Sequence, residues 1–152
     1  MPETLTPIIL LAHAAATWFM VGLIWFVQVV HYPLFAGVGE AGWSAYSQRH
    51  QRLTTLVVGP VMLVELVCAA VLLVLIPGVP TIAGTILLAL VWASTFFVQV
   101  PLHARLERGG DPAARAGLVR TLVATNWART FFWTARGGLA LAMLGAGVAG
   151  PA

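Results

Sequence analysis

Residues 53–76, LTTLVVGPVMLVELVCAAVLLVLI, contain a single charged side chain, Glu65. A helix that crosses a bilayer needs about 20 consecutive, mainly apolar residues, and this stretch is long enough. Its apolar residues follow one another without the alternation that is typical of a transmembrane β-strand. The stretch therefore predicts a membrane-spanning helix, and it excludes a β-barrel.

The rest of the chain repeats this pattern. Four apolar runs predict membrane spans at about 8–31, 53–76, 82–104 and 122–148. Only 9% of the residues are charged, against about 25% in soluble domains, and 60% are hydrophobic. Because the connections are short, neighbouring helices are expected to be antiparallel. We therefore expect residues 1–152 to form one all-α domain, a polytopic membrane protein with an up-down-up-down bundle of four transmembrane helices.

Arginine sets the expected orientation. Six arginines flank the ends where the first and third spans finish, and none flanks the opposite ends: Arg49, Arg52, Arg105, Arg108, Arg115 and Arg120. Because flanking positive charge stays in the cytoplasm, we expect a multi-pass protein of the cell membrane with both termini extracytoplasmic. The net charge of +3 reflects this loop bias and does not indicate a nucleic-acid partner.

The tetrapeptide FVQV occurs twice, at 26–29 and 97–100. Each copy puts a glutamine, Gln28 or Gln99, near the arginine-rich end of an apolar run. Helical rotation of about 100° per residue places the polar side chains of each predicted helix on one arc. Since polar groups in a membrane face the bundle interior or a water-filled cavity, four such arcs predict one interior pocket that opens to the cytoplasmic side.

Two charged residues of opposite sign, Glu65 and Arg136, are expected near the middle of the membrane at similar depth. An unpaired charge there costs several kcal/mol, so the sequence predicts a buried ion pair between them. A proton-relay role for Glu65 is the alternative.

Arg129 lies inside the fourth run, and no second carboxylate in the helices is available to neutralise it. Either it reaches the arginine-rich side or is solvated by Gln28, Gln99 and Asn126, or its partner is a planar oxygen anion of a ligand, which suits the guanidinium fork. Under the second hypothesis Arg129 and Asn126 are catalytic, Gln28 and Gln99 bind the ligand, and Trp92 and Trp133 wall the pocket.

His31, His50 and His103 come from three predicted helices at one end of the bundle. Imidazoles bind iron, copper and zinc, so the three are candidate ligands of a transition metal or a haem. Alternatively they are interfacial hydrogen-bonding residues. In a catalytic site, His31 or His50 would act as the general base.

Residues 125–139, TNWARTFFWTARGGL, resemble the closing helix of small bacterial four-helix membrane proteins. These proteins are in turn similar to the anthrone-oxygenase-like family, in which an Asn-x-x-Arg element lies in the last helix, as Asn126 and Arg129 do here. The resemblance implies oxidation of a polycyclic phenol or a related aromatic at a membrane-embedded site.

Two functions are consistent with these residues. The first is a membrane oxidoreductase, oxygenase-like, that acts on a hydrophobic aromatic or quinone-like substrate, with or without haem or a metal. The second is a proton-coupled small-molecule carrier or a lipid- or ligand-binding protein without catalysis. Both imply membrane lipid and a hydrophobic small molecule as partners. The small residues of the fourth run also permit a homo-oligomer.

Overall fold

The structure is a computed structural model that describes residues 2–108 and 111–149, and these ranges are helical almost throughout, with no strand. The prediction of an all-α protein is confirmed. Residues 1, 109–110 and 150–152 of the predicted domain lie outside the described residues.

Four continuous helical segments make up the described chain. Segment 1 comprises α1 (Pro2–Phe26), a π-helical turn (Val27–His31) and α2 (Tyr32–Leu34), and segment 2 is α3 (Trp43–Leu75). Segment 3 comprises α4 (Val79–Ser94), a second π-helical turn (Thr95–Gln99) and α5 (Val100–Glu107), and segment 4 is α6 (Pro112–Ala149). Two short 3-10 turns, Phe35–Gly37 and Glu40–Gly42, connect segments 1 and 2.

The helices extend beyond the apolar runs at the arginine-rich end. Helix α3 begins at Trp43 and α6 at Pro112, well before residues 53 and 122. The carboxylate of Asp111 accepts a hydrogen bond from the backbone N–H of Ala114 at 3.1 Å, which caps α6. Hydropathy alone does not reveal these extensions, because arginines and other polar residues lower the mean hydropathy of both stretches.

The segments pack in a ring, in which α1 contacts α3 and α6, and α4 contacts the same two helices. Gly137 allows segments 1 and 4 to approach closely, since a Cβ there would lie 3.1 Å from Val21 Cγ2. At the arginine-rich end, Trp43 Nε1 donates to the backbone oxygen of Leu106 at 2.6 Å and thereby joins the start of segment 2 to the end of segment 3.

Three stretches in the described part of the chain are long and apolar enough to cross a membrane: Leu5–Gly37, Glu40–Leu75 and Val79–Glu107. The distribution of polarity agrees with a membrane protein, because large apolar side chains such as Phe97 and Val74 are exposed while Glu65 and Arg136 are fully buried. Segment 4, which carries two arginines in its apolar part, is not among the three, so the fourth span stays a prediction.

Candidate functional site

Both copies of FVQV lie at a π-helical turn. The backbone N–H of Tyr32 bonds to the oxygen of Val27, and that of Val100 bonds to the oxygen of Thr95, each five residues back. A proline follows each turn, Pro33 and Pro101, and has no N–H to continue the α-helical pattern. Such turns inside α-helices are frequent at functional sites.

The first π-helical turn changes which side chain faces the interior. Uniform α-helical rotation places His31 on the inward arc, but a π-helical turn holds an extra residue and shifts the rotation of the residues after it. As a result Tyr32 is the buried residue and His31 is half-buried. The glutamines lie within or at the end of the turns, and both are buried as expected.

Arg136 is the centre of a polar network that joins all four segments. It forms the expected ion pair with Glu65, and its Nη1 also donates to Thr17 Oγ1 at 2.9 Å. Its Nε donates to the backbone oxygen of Gly84 at 3.2 Å, and its Nη2 lies 3.3 Å from His13 Nδ1. The second carboxylate oxygen of Glu65 accepts from Trp133 Nε1 at 3.2 Å. This network leaves neither charge without a partner.

A separate cavity of about 270 Å³, which we call the chamber, lies toward the arginine-rich end. All four segments contribute polar side chains to its wall: Tyr32, His50, Gln51, Thr54, Thr55, Trp92, Thr95, Gln99, His103 and Arg129. Met62, Phe96 and Val100 are among its apolar lining residues. The chamber therefore combines a polar wall with apolar surface, as sites for small organic ligands do.

Four buried side-chain atoms in the described part of the chain have no hydrogen-bond partner: Trp92 Nε1, Gln99 Oε1, His103 Nδ1 and Arg129 Nε. All four belong to residues that line the chamber. Leaving one such group unpaired costs about 1–3 kcal/mol, so four on residues around one cavity favour a polar guest. The set offers two fixed donors, one amide acceptor and one imidazole nitrogen.

No family model, curated protein or solved structure matches this chain. The chemistry of the site is therefore inferred from its own side chains.

Arg129 is buried without an anionic partner among the described residues, whose only salt bridge joins Glu65 and Arg136. Its Nη1 donates to Asn126 Oδ1 at 3.3 Å, and the guanidinium lies 5.1 Å from the ring centroid of Trp133. The Tyr32 hydroxyl also contacts it. All of these partners are neutral, so an anion in the chamber would be the first to neutralise Arg129.

The structure brings the three histidines together, but as a hydrogen-bonded cluster. His31 Nε2 lies 2.9 Å from His50 Nδ1, which is also 3.2 Å from Thr54 Oγ1. His103 Nε2 lies 3.1 Å from the Tyr32 hydroxyl, and the rings of His50 and His103 are 5.4 Å apart.

This arrangement does not form a metal site with three protein ligands among the described residues, and a haem bound by two histidines stays a prediction. Nitrogens of His31, His50 and His103 already pair with one another or with hydroxyl groups. The part of the chain that the structure describes contains no group of three or more His, Cys, Asp or Glu side chains placed to share a metal ion.

Other expected site residues are placed differently from the prediction. Gln28 does not line the chamber, because its oxygen accepts from Asn126 Nδ2 at 2.8 Å and its amide donates to the backbone oxygen of Val123 at 3.1 Å. Trp133 is fully buried beneath Arg129 and bonded to Glu65. Asn126 positions Arg129 from outside the cavity.

Of the two histidines expected to act as bases, only His50 lines the chamber, while His31 faces a neighbouring cavity. Trp92, Gln99, His103 and Arg129 do lie together in the wall of the chamber. Sequence reasoning missed Tyr32. The available signal was Pro33, which follows it directly and disturbs the helix there.

Proposed function

We propose that the protein is a membrane oxidoreductase, oxygenase-like, whose chamber binds a hydrophobic aromatic or quinone-like substrate through an acidic oxygen. One observation carries the proposal: the unpartnered buried polar atoms of the described chain all belong to the wall of one cavity that contains an unneutralised arginine. An oxyanion on the guest would accept hydrogen bonds from Arg129 and Trp92, and a guest hydroxyl would donate to Gln99.

His103 takes the role of general base in this proposal. Its Nε2 pairs with the Tyr32 hydroxyl, which orients the ring, while its Nδ1 has no hydrogen-bond partner, and the residue lines the chamber. A proton leaves the hydroxyl of a phenol, or the carbon conjugated with an aromatic ketone, and goes to Nδ1. The oxyanion that results is stabilised by Arg129 in a water-poor site, where such donors are most effective. No step in this proposal uses a metal.

The proposal includes four membrane spans in an up-down-up-down bundle, with the chamber on the cytoplasmic side and both termini outside. A reporter fused after Ala152 is expected to report the extracytoplasmic side. A cytoplasmic signal would reverse the assigned sidedness without affecting the chamber.

A carrier without catalysis is the second candidate. Its titrating groups would be Glu65 and the histidines, and of these Glu65 has both oxygens held, by Arg136 and by Trp133. A protein that only binds its guest would use the same chamber, so binding and turnover have to be measured separately.

Binding is tested with two matched probes in lipid nanodiscs: para-methylbenzoate, which carries a planar oxyanion, and para-methylbenzyl alcohol, which does not. We expect the purified protein to prefer the benzoate. Arg129→Met should weaken benzoate binding about ten-fold or more, because a charge-assisted hydrogen bond is lost. Arg129→Lys should also weaken it, since the planar fork is lost. Equal affinity for both probes would contradict the binding site.

Turnover is tested with anthrone, an aromatic ketone with an acidic ring carbon. Oxygen uptake that requires protein and is abolished by Arg129→Met and His103→Gln would support the oxidoreductase. Benzoate binding without any oxygen uptake would favour the protein that binds without catalysis.

A further inference from the structure

A second cavity, of about 500 Å³, lies between segments 1 and 2, and we call it the lateral cavity. Its wall is mainly apolar and includes Leu23, Phe26, Leu53 and Val57. Phe26, Leu53 and Val57 are each about half exposed, with exposed fractions of 54%, 45% and 49%. The cavity therefore opens on the side of the bundle that faces lipid.

The lateral cavity adjoins the chamber. His50, Thr54 and Val58 line both cavities, and their spacing of four residues makes them one stripe on α3. His31 of segment 1 faces the lateral cavity and pairs with His50, whereas its neighbour Tyr32 faces the chamber. The boundary between the two spaces is thus a single stripe of side chains and the end of the first π-helical turn.

The shape of the lateral cavity suits a chain rather than a ring system. Its lining on α3 runs from Tyr46 to Val58, a rise of about 18 Å along the helix. Arg49 lies near the outer end, toward the arginine-rich loops, and the inner end at Val57 and Val58 is apolar. The polar residues of its wall are concentrated at the end near His50.

We propose that the lateral cavity binds the aliphatic chain of an amphiphilic substrate whose aromatic, oxygen-bearing head occupies the chamber. The inference rests on the proposed function of the chamber and specifies its substrate class: an acidic aromatic or quinol-like compound with an aliphatic tail. The head meets the polar wall at Arg129, and the chain passes the His50 stripe and lies against Leu53 and Val57, where burial of each methylene is favourable.

The test compares para-octylbenzoate with para-methylbenzoate in nanodiscs, with empty nanodiscs subtracted for partition into lipid. We expect the octyl compound to bind at least about ten-fold more tightly to the unmodified protein. Leu53→Trp, which fills the lateral cavity, should remove this advantage and leave the affinity for the methyl compound unchanged. Leu56→Trp is the matched control, because Leu56 lies on the same helix, is exposed and does not line the cavity.

Each outcome has one meaning. Loss of the octyl advantage in Leu53→Trp alone supports the proposal. An unchanged octyl advantage, or an equal loss for both probes, overturns it, and the cavity then holds membrane lipid or only gives access to the chamber. If Leu53→Trp does not fold, Val57→Phe replaces it. A different result would show that the chamber does not bind the head group: Arg129→Met would then leave the affinity for para-methylbenzoate unchanged.

Discussion

Arg129 and Arg136 lie two turns apart on α6, about 10 Å along the helix axis, yet their surroundings differ completely. Arg136 has an ion-pair partner, and its three nitrogens contact groups from segments 1, 2 and 3. Arg129 has only neutral contacts, its Nε lacks a hydrogen-bond partner, and the residue lines the chamber. All three nitrogens of Arg136 therefore have partners within the protein, whereas Arg129 keeps a donor that is available to a ligand.

The difference separates a structural role from a binding role. A buried ion pair is strongly destabilised when one member is removed, because the other remains as an uncompensated charge. Removal of a buried charge that already lacks a counter-charge costs the protein little stability. Buried polar groups usually have hydrogen-bond partners, and exceptions are expected at functional sites. The four unpartnered atoms of residues around the chamber fit that expectation.

The largest expected effect comes from the same substitution at the two arginines. Arg136→Met should lower the free energy of unfolding by about 3–5 kcal/mol, because Glu65 remains buried and unpaired. Arg129→Met should leave it unchanged or raise it. Reversible unfolding in a denaturing detergent measures both, and equal losses at the two positions would remove the distinction between them.

A double substitution isolates the ion pair. Glu65→Gln alone should destabilise the protein as Arg136→Met does, and Glu65→Gln combined with Arg136→Met should recover much of the loss. Glu107→Gln provides a control for charge removal outside the network. Additive losses in the double variant would mean that the two residues are not energetically coupled.

The two glutamines of the FVQV repeat test the same contrast between a structural and a binding role, with a smaller expected change in stability. Gln28→Leu should cost about 1–3 kcal/mol of unfolding free energy, since Asn126 and the backbone oxygen of Val123 lose their partner. Gln99→Leu should cost less and instead weaken binding of a probe that carries a hydroxyl donor, such as para-hydroxybenzoate. The opposite pattern would place the binding group at Gln28.

Much of this contrast was accessible from the sequence. Continuous apolar runs predicted the helices, and the scarcity of buried charges left Glu65 and Arg136 as natural partners. Depth and helical phase also brought Gln99, His103 and Arg129 to one level. These inferences succeed because burial of a charge in a membrane permits few arrangements.

The parts that sequence reasoning missed have a common cause. Uniform rotation of about 100° per residue fails across a π-helical turn, so it placed His31 where Tyr32 lies. It also could not distinguish a side chain in the cavity wall from one behind it, which is why Gln28 and Trp133 were expected as ligand contacts. Only the hydrogen bonds of these two residues show that they are already satisfied.

The smallest expected effect concerns Tyr32. Tyr32→Phe removes the hydroxyl that orients His103 and contacts Arg129, at a cost of about 1 kcal/mol. We expect roughly five-fold weaker binding of para-methylbenzoate, measured by titration in nanodiscs. Tyr46→Phe is the control, because Tyr46 lines the lateral cavity and not the chamber. Equal effects of the two substitutions would mean that Tyr32 does not contribute to binding in the chamber.

The most direct measurement records the side-chain Nε–H resonances of the two arginines in protein labelled with nitrogen-15 arginine in nanodiscs. Arg129→Lys and Arg136→Lys assign the signals, and para-methylbenzoate is then titrated. We expect a saturable shift of the Arg129 resonance, whose Nε–H lacks a partner beside the chamber, and no shift of the Arg136 resonance. A shift at Arg136, or no shift at either residue up to saturation of the membrane, would contradict the roles assigned to the two arginines.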